Sequence, residues 1–381
     1  MHLAGYGGPY AGSFVPMLRG VMRAARDRGW ACEAVFGSVA KDRVWLDELR
    51  DDGIPFRIAP SNSRGDIARL VRSLLSESAE PTILHTHFTS FDIPAAMAAD
   101  RHGAAKVFWH VHTPHHGSLP IRARNRLKYT VLGRRVERIL CVSSELAEVV
   151  EKRGAPKDRV EFLHNAVDVD RFRLLESEER EIARLRMGLP IDQPLLVHFG
   201  WDWERKGGDL FMQSVRKLRE RGIEAVGVTV GGGDQARALR DQLDLGHAVH
   251  VLEPTDDVRA LYAAADVFMS PSRAEGTPYS VMEALSSGTA VVASDISGHE
   301  LMGAGIESCV ITPHDPGHIA AAVERLVDRD PHEVSADALG AHLWMREKLH
   351  LPKWSAALLE RYEQALAPAR DASGELAPAP A

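Results

Sequence analysis

The sequence has 381 residues, and 45% of them are hydrophobic, which is enough for the cores of two or three domains of about 150 residues. No apolar stretch approaches the ~20 residues that cross a membrane, and the first residues lack the pattern of a secretory signal. The three cysteines are far apart, and no cysteine or histidine spacing predicts a zinc site. We therefore expect a large, soluble, cytoplasmic enzyme with free thiols and no metal.

Charge is unevenly distributed, which the net value of −7 conceals. Residues 1–172 contain 25 Lys and Arg against 20 Asp and Glu, whereas residues 173–381 contain 21 against 33. The two halves are chemically different, and no nucleic-acid partner is expected. The sequence also has no G-x-G-x-x-G pattern after a first strand with an acidic residue about 20 positions later, which argues against a dehydrogenase.

The first half alternates strand-like and helical segments, as a doubly wound domain does. Strands are predicted at 1–5, 31–36, 54–58, 82–87, 138–142 and 160–164, with another ending at His110 and His112, and helices at 14–28, 41–51 and 64–77. After the first strand, Gly8 and Gly12 allow the backbone to approach a ligand closely, although such a sequence can also form an ordinary turn.

Two predicted strands end in histidines, which we expect at the ligand-binding edge of a parallel sheet. The first ends in His85 and His87, and the second ends in His110 and His112. A neutral imidazole can exchange a proton near neutral pH or form a hydrogen bond with a sugar. A structural role is the alternative for each of these side chains.

The segment 121–138 contains seven basic residues and one acid, Glu137, and is predicted to be a helix. It is either a solvated helix face or, over residues 122–138, a surface for anionic lipid headgroups or a phosphorylated acceptor.

The second half repeats the alternation. Strands are predicted at 195–200, 225–230, 249–252, 267–269, 290–293 and 308–311, and helices at 173–188, 316–329 and 353–366, before a disordered Ala- and Pro-rich tail. Arg205 and Lys206 follow the first of these strands and precede two glycines, so they form a plausible diphosphate clamp.

The stretch from Ala265 to Asp295 is predicted to form a strand, a loop, a helix and a second strand. The helix start, near Thr277 to Ser280, would attract a phosphate. Glu275 and Glu283 would repel phosphate but suit the hydroxyls of a diol, a combination that describes a sugar nucleotide. For Glu283 alone, a solvated helix position is the alternative.

The segment E-G-T-P-Y-S-V-M-E resembles the E-x7-E signature of retaining glycosyltransferases of sequence family 4, and the resemblance extends over nearly the whole chain. It implies the GT-B fold, an α/β architecture of two Rossmann-like doubly wound domains facing a central cleft. The implied domains are an acceptor-binding domain at 1–172, a nucleotide-sugar domain at 173–352, a helix at 353–366 that packs back on the first domain, and a tail at 367–381.

The resemblance also implies site residues. His112, Glu275 and Lys206 would be catalytic, His87 and His110 would lie on the acceptor side, and the donor would be bound by Gly8, Gly12, Arg205, Lys206, Gly276, Thr277, Pro278, Tyr279, Ser280 and Glu283. The sequence departs from the family pattern at Trp201, where members usually have an arginine, and at Ala166, which replaces a glycine.

The implied reaction is metal-independent transfer of a hexosyl group, with retention, from a nucleoside-diphosphate sugar to a hydroxyl acceptor. A UDP-sugar is favoured over a GDP-sugar. The acceptor would be a lipid-linked cell-envelope precursor, with the enzyme peripheral at the inner membrane face, or a small metabolite such as an aminocyclitol. A nucleotide-sugar epimerase and a non-catalytic nucleotide-sugar sensor are the alternatives.

Overall fold

The computed structural model describes residues 1–8, 10–78, 81–102, 105–112 and 119–367. The chain divides into two compact units. One contains residues 1–163 together with the segment that begins at Pro352, and the other contains residues 164–351. Within the described residues, no helix is both long enough and apolar enough to cross a membrane.

Each unit has one parallel sheet among its described residues. The first sheet has the order β3-β2-β1-β4-β5-β6-β7, and the second has the order β10-β9-β8-β11-β12-β13. The strands are β1 (His2–Ala4), β2 (Ala34–Phe36), β3 (Phe56–Ile58), β4 (Thr82–His87), β5 (Ala105–Val111), β6 (Arg138–Cys141), β7 (Val160–Phe162), β8 (Leu195–Phe199), β9 (Val226–Val230), β10 (Val249–Leu252), β11 (Val267–Ser270), β12 (Ala290–Ser294) and β13 (Cys309–Thr312). In both sheets the strand order reverses beside the first strand, which is where such folds bind ligands.

Helices connect the strands. They are α1 (Phe14–Asp27), α2 (Leu46–Asp51), α3 (Arg64–Glu77), α4 (Asp92–His102), α5 (Leu119–Leu127), α6 (Ser144–Lys152), α7 (Ser177–Arg186), α8 (Gly208–Glu220), α9 (Gly233–Gln242), α10 (Val258–Ala264), α11 (Tyr279–Ser286), α12 (Glu300–Gly305), α13 (Pro316–Val327), α14 (Pro331–Lys348) and α15 (Leu351–Leu366). The central strands β4, β8 and β11 are buried along their whole length because helices cover both faces of a parallel sheet. The predicted doubly wound α/β fold is confirmed.

The domain assignment of residues 164–172 differs between sequence and structure. The sequence-based division placed them in the first domain. In the structure they belong to the second unit. The amide of Val167 donates to the carbonyl of Leu349, the amide of Leu351 donates to Val167, and Phe172 is part of the second unit's core. Leu351 opens α15, which otherwise belongs to the first unit.

The predicted single helix at 121–138 is wrong in its second part. Helix α5 passes into a π-helical turn, Lys128–Leu132, then into a 3₁₀ turn, Gly133–Arg135, and Arg138 already begins β6. Pairing of β6 with β5 overrides the local helical pattern here. Helices α4, α9, α10, α12 and α14 were not predicted, and the predicted tail lies outside the described residues apart from Ala367.

Candidate functional site

Two loops of the second unit leave the same edge of its sheet, because β8 and β11 are adjacent and parallel. The amide of Arg273 in one loop donates to the carbonyl of Arg205 in the other, at 2.8 Å. Gly207 has a φ of +69°, and a Cβ there would lie 2.1 Å from the carbonyl oxygen of Pro271. Only glycine therefore allows the two loops to come this close.

The loops bring three predicted site residues together. Lys206 Nζ donates to Glu275 Oε1 at 2.6 Å, and Arg205 Nη1 donates to Glu275 Oε2 at 3.1 Å. Arg205 Nε also donates to Asp202 at 2.8 Å. Arg205 and Lys206 were predicted to bind phosphate, and Glu275 was predicted to bind sugar hydroxyls. The structure joins these two predicted subsites into one ionic cluster.

The Glu275 carboxylate is almost fully buried, and its side chain is 9% exposed. Burial raises the pKa of Glu275, but the charges of Lys206 and Arg205 outweigh that effect, so the pKa of this carboxyl lies below its usual value. Glu275 is therefore ionised at neutral pH, and it balances part of the positive charge beside it.

His198, on β8, fixes the loop that carries Lys206. Its Nε2 lies 3.1 Å from the Lys206 carbonyl oxygen, and its Nδ1 lies 3.0 Å from Thr229 Oγ1. Burial lowers the pKa of His198 to about 4, so the ring is neutral and can donate through one nitrogen only. This positioning role was not predicted.

Glu283 is buried, so the alternative of a solvated helix position is wrong. The hydroxyl of Tyr262, on α10, donates to Glu283 Oε2 at 2.9 Å. Two effects raise the pKa of Tyr262 well above its usual value: burial, which is the larger, and the nearby Glu283 carboxylate. The phenol therefore keeps its proton and holds the carboxylate in a fixed position.

Helix α11 begins where a phosphate site was predicted. Pro278 precedes its first residue, Tyr279, and the carbonyl of Thr277 accepts a 2.8 Å hydrogen bond from Asn165 Nδ2. Ser280 lies in the first turn, so the predicted residues 276–280 occupy one helix start. The backbone N–H groups at the start of α11 carry the partial positive charge that attracts anions.

A second loop supports this helix start. A Cβ on Gly298 would lie 2.1 Å from the carbonyl oxygen of Gly276, so the backbones of these two loops are in contact. His299, fully buried, lies 2.7 Å from the Ser294 carbonyl through Nδ1 and 3.3 Å from Ser270 Oγ through Nε2. The supporting role was not predicted, although the Gly-His pair four positions after the end of β12 is the signal that could have indicated it.

In the first unit, the predicted glycine loop follows β1. The indole of Trp45 donates to the carbonyl of Gly8 at 2.9 Å, and Gly12 has a φ of +53°. A Cβ on Gly8 would lie 2.7 Å from the hydroxyl of Tyr6. These contacts fix the loop, and its contact with a donor phosphate stays a prediction.

The strand-end histidines of the first unit form one cluster. His87 Nδ1 lies 3.0 Å from His112 Nε2, and His87 Nε2 lies 3.1 Å from His2 Nδ1. His85 Nδ1 contacts the hydroxyl of Tyr362 on α15. Neither ring nitrogen of the buried His110 has a hydrogen-bond partner among the described residues.

Burial lowers the pKa of every member of this histidine cluster. The pKa values of His2 and His112 fall to about 3, and those of His85, His87 and His110 fall well below the usual value, so all five rings are neutral. His2 was not predicted as a member. It joins the others because β1 pairs with β4 in a register that places His2 beside His85.

Two family models match the chain, one in each half. Residues 18–171 match Glycosyltransferase Family 4, and residues 193–329 match Glycosyl transferases group 1. The chain carries two glycosyltransferase domains. They agree with the predicted family at this level, whereas the E-x7-E signature and the site residues stay predictions.

Among curated relatives, D-inositol 3-phosphate glycosyltransferase 1 of Catenulispora acidiphila is 31% identical over 214 residues, which are 52% of this chain and 50% of the relative. D-inositol 3-phosphate glycosyltransferase of Mycobacterium bovis is 30% identical over 196 residues, which are 50% of this chain and 40% of the relative. The chain thus matches these relatives over about half of their length or less.

Solved structures with low sequence identity share the fold. HepE of Anabaena, solved with UDP and glucose, has a TM-score of 0.79 at 17% identity and covers 95% of this chain and 99% of its own. A glycosyltransferase from Rickettsia africae has the same score and identity, covering 97% and 99%. WaaG, a glycosyltransferase of lipopolysaccharide biosynthesis, scores 0.65 at 18% identity, covering 94% and 98%. The fold of these glycosyltransferase domains is GT-B, as the sequence predicted.

Proposed function

We propose that this protein transfers a hexosyl group from a nucleoside-diphosphate sugar to a hydroxyl acceptor, with retention of anomeric configuration. The observation that carries the proposal is the ionic cluster of Arg205, Lys206 and Glu275, at the sheet edge where α8 and α11 begin. Cationic side chains and helix N-termini both stabilise a diphosphate. The buried carboxylate between them is suited to sugar hydroxyls.

In the proposed reaction, the bond between the anomeric carbon and the diphosphate oxygen breaks first, which leaves an oxocarbenium-like sugar. Lys206 and Arg205 stabilise the negative charge that develops on the diphosphate, so the chain's own cations do the work that a metal does elsewhere. The acceptor oxygen then bonds to the anomeric carbon on the same face. Its proton goes to an oxygen of the departing diphosphate.

The other proposed roles are those that the resemblance to family 4 implies. Glu275 would orient the sugar, and Glu283, held by Tyr262, would accept hydrogen bonds from the ribose hydroxyls. From the first unit we propose Gly8, Gly12 and His112 as donor contacts, and His87 and His110 as acceptor contacts.

We propose a UDP-sugar as donor and a small phosphorylated cyclitol as acceptor. The first choice is supported by HepE, a structural neighbour whose crystal contained UDP and glucose. The second is supported by the relatives named D-inositol 3-phosphate glycosyltransferase. An aminocyclitol belongs to the same class of small polyhydroxyl acceptors.

The test is to incubate the protein with a panel of UDP- and GDP-sugars, with and without inositol phosphate, and to follow the anomeric protons by NMR. We expect slow donor hydrolysis without acceptor and a product with the donor's anomeric configuration when acceptor is present. Inverted product would refute retention. Conversion of the donor to its epimer would favour the epimerase, and binding without turnover would favour the sensor.

A second proposal concerns a membrane contact through the surface of α5 and the turn that follows it. Leu127 and Val131 are exposed there, at 64% and 45%, beside the exposed Arg124 and Arg126. Exposed apolar side chains beside arginines suit a surface of anionic lipid. Lys128 does not belong to this surface, because it is buried and forms an ion pair with Asp92.

Liposomes with and without anionic lipid test the membrane proposal. We expect the protein to sediment with anionic vesicles at low salt, since each arginine near the surface contributes about 1 kcal/mol. Arg124→Ser with Arg126→Ser should abolish sedimentation and preserve transfer to a soluble acceptor. Arg69→Ser, another exposed arginine of the first unit, is the matched control. If the wild-type protein does not bind anionic vesicles at low salt, the membrane proposal fails, and a soluble molecule is then the one remaining class of acceptor.

A further inference from the structure

The turn that follows β4 has an unusual backbone. Phe88 and Thr89 have φ values of +59° and +63°, in the left-handed region. Aromatic and β-branched residues seldom adopt this conformation, because their Cβ crowds the following carbonyl oxygen. The amide of Ser90 donates to the carbonyl of Phe88 at 2.8 Å, which closes a three-residue turn around Thr89. A turn of this kind with a positive central φ is the rare, strained form.

Neighbouring elements hold the strained turn in place. The amide of Gly5, directly after β1, donates to the carbonyl of His87 at 3.2 Å, and a Cβ on Gly5 would lie 1.9 Å from Ser90 Oγ. The amide of Asp92, at the start of α4, donates to the carbonyl of Thr89 at 3.2 Å. Strained backbone persists only where its surroundings fix it, and such positions concentrate at functional sites.

The positive φ changes the side of the sheet on which the Phe88 ring lies. Consecutive side chains of a strand alternate between its two faces, so an extended chain would place Phe88 opposite His87. Instead both rings contact Phe14 on α1, with centroid distances of 5.1 Å for His87 and 4.8 Å for Phe88. The strained turn therefore brings the Phe88 ring to the side of the sheet that carries His87.

The ring of Phe88 stacks on His112 at this position. Their centroids are 4.8 Å apart, and their planes differ by 24°. His110 also stacks on His112, with centroids 4.2 Å apart, and His112 Nε2 lies 3.0 Å from His87 Nδ1. These contacts fix the orientation of the His112 imidazole. Among the described residues none forms a hydrogen bond with its other nitrogen, Nδ1, which is therefore open to a ligand.

We propose that Phe88 is a positioning residue for His112, and that the strained turn at Phe88 and Thr89 keeps its ring in place. The inference rests on the proposed transfer, in which His112 contacts the donor. An imidazole that rotates meets the donor in several orientations, whereas a stacked one presents Nδ1 in a single orientation. Misplacement of a contact by about 1 Å can cost about 100-fold in rate.

Phe88→Leu removes the flat ring and keeps an apolar side chain. With the donor that the panel of UDP- and GDP-sugars identifies, we expect kcat to fall about 10–100-fold and KM for the donor to change much less. Phe88→Tyr keeps the ring and should retain most of the activity. In a His112→Gln background, Phe88→Leu should lower kcat no further, because Phe88 acts through that imidazole.

Thr89→Gly tests the strain itself. Glycine adopts a positive φ without steric cost, so the variant should raise the midpoint of thermal unfolding by about 2–4 °C. It should also lower kcat by roughly 3–10-fold, because the turn then has other conformations. Asp42→Gly is the matched control, since Asp42 is an exposed residue of the first unit with a φ of +61°. It should leave kcat unchanged.

The outcomes separate a positioning role from packing alone. A lower unfolding midpoint with unchanged kcat in Phe88→Leu would identify Phe88 as a packing residue and overturn the proposal. Additive losses from Phe88→Leu and His112→Gln would also overturn it. If Phe88→Leu does not fold, Thr89→Gly decides, and an unchanged kcat there contradicts the proposal. A wild type that transfers nothing refutes the proposed function and this inference together, whereas failure in the variants alone leaves the transfer standing.

Discussion

The two sheets of this chain end in edges of opposite character. At the first edge, five neutral histidine rings lie against one another and against aromatic side chains. At the second, two cations share one buried carboxylate. Both edges come from the same doubly wound topology, so the fold supplies the position and the loop residues supply the chemistry. Burial is tolerated at the first because the groups are uncharged, and at the second because the charges are paired.

The largest effect is expected from removing a charge at the second edge. Lys206→Ala should lower kcat by about 10²–10³-fold, the range measured when one group that stabilises developing negative charge is deleted. The fold should survive, because Glu275 keeps Arg205 as its partner. Initial rates at saturating UDP-sugar, with denaturant unfolding alongside, check both statements.

The control for Lys206→Ala is Lys217→Ala, which removes an exposed lysine from α8 that pairs with Glu220 at 2.8 Å. Surface pairs of this kind contribute little to stability. If both variants lose the same activity, or neither does, Lys206 has no special role at the leaving group.

The next prediction compares a phenol at each edge. Tyr262 donates to the charged carboxylate of Glu283, whereas Tyr362 contacts the neutral ring of His85. Hydrogen bonds to charged groups contribute about 1.5–3 kcal/mol and neutral ones about 0.5–1.5 kcal/mol. Tyr262→Phe should therefore lower the free energy of unfolding more than Tyr362→Phe does. Urea denaturation measures both, and the reverse order would show that charge does not distinguish the two edges.

Much of the fold and of the candidate site could be predicted from the sequence. Apolar runs ending in Ser, Pro, Gly or His located β4, β5, β8 and β11, so Glu275, Lys206 and His112 were expected at the carboxyl ends of strands, where ligands bind. Local pattern could not show that Lys128 is buried, because the partner, Asp92, lies in a helix that was not predicted.

Contacts between distant loops were beyond local pattern as well. The closeness of Gly298 to Gly276 depends on the strand order of the second sheet, and the position of His2 beside His85 depends on the register of β1 against β4. Neither is encoded in the neighbouring residues.

The third prediction uses a neutral histidine inside the charged edge. Burial, opposed by the Ser294 carbonyl and by Glu275, lowers the pKa of His299 to about 4, with Lys206 and His314 lowering it further. The unfolded chain takes up a proton near pH 6.5 and the folded chain does not, so stability is complete above pH 6.5 and falls as the pH drops towards 4. At pH 5 the loss from His299 is about 2 kcal/mol.

His299→Gln should remove that part of the pH dependence, because an amide keeps a donor and an acceptor but does not titrate in this range. The measurement is the free energy of unfolding at pH 7 and pH 5 in both proteins. The variant should lose about 2 kcal/mol less than the wild type between the two pH values. An equal loss in both would mean that His299 is protonated in the folded protein as easily as in the unfolded chain.

The smallest effect concerns the position where this chain departs from the family pattern. Trp201 is exposed, follows β8, and stands where an arginine is usual, so the second edge has one cation fewer than its resemblance implies. Trp201→Arg should strengthen UDP binding by about 2–5-fold at low salt, the range of an exposed ion pair, and by less as salt screens the charge. Trp201→Gln removes the indole without adding charge and should not strengthen binding. Calorimetry of UDP binding at two salt concentrations separates the outcomes. If Trp201→Arg binds UDP no more tightly than Trp201→Gln does, Arg205 already supplies the cationic contact that the family's arginine would make, and a further charge at the second edge adds nothing.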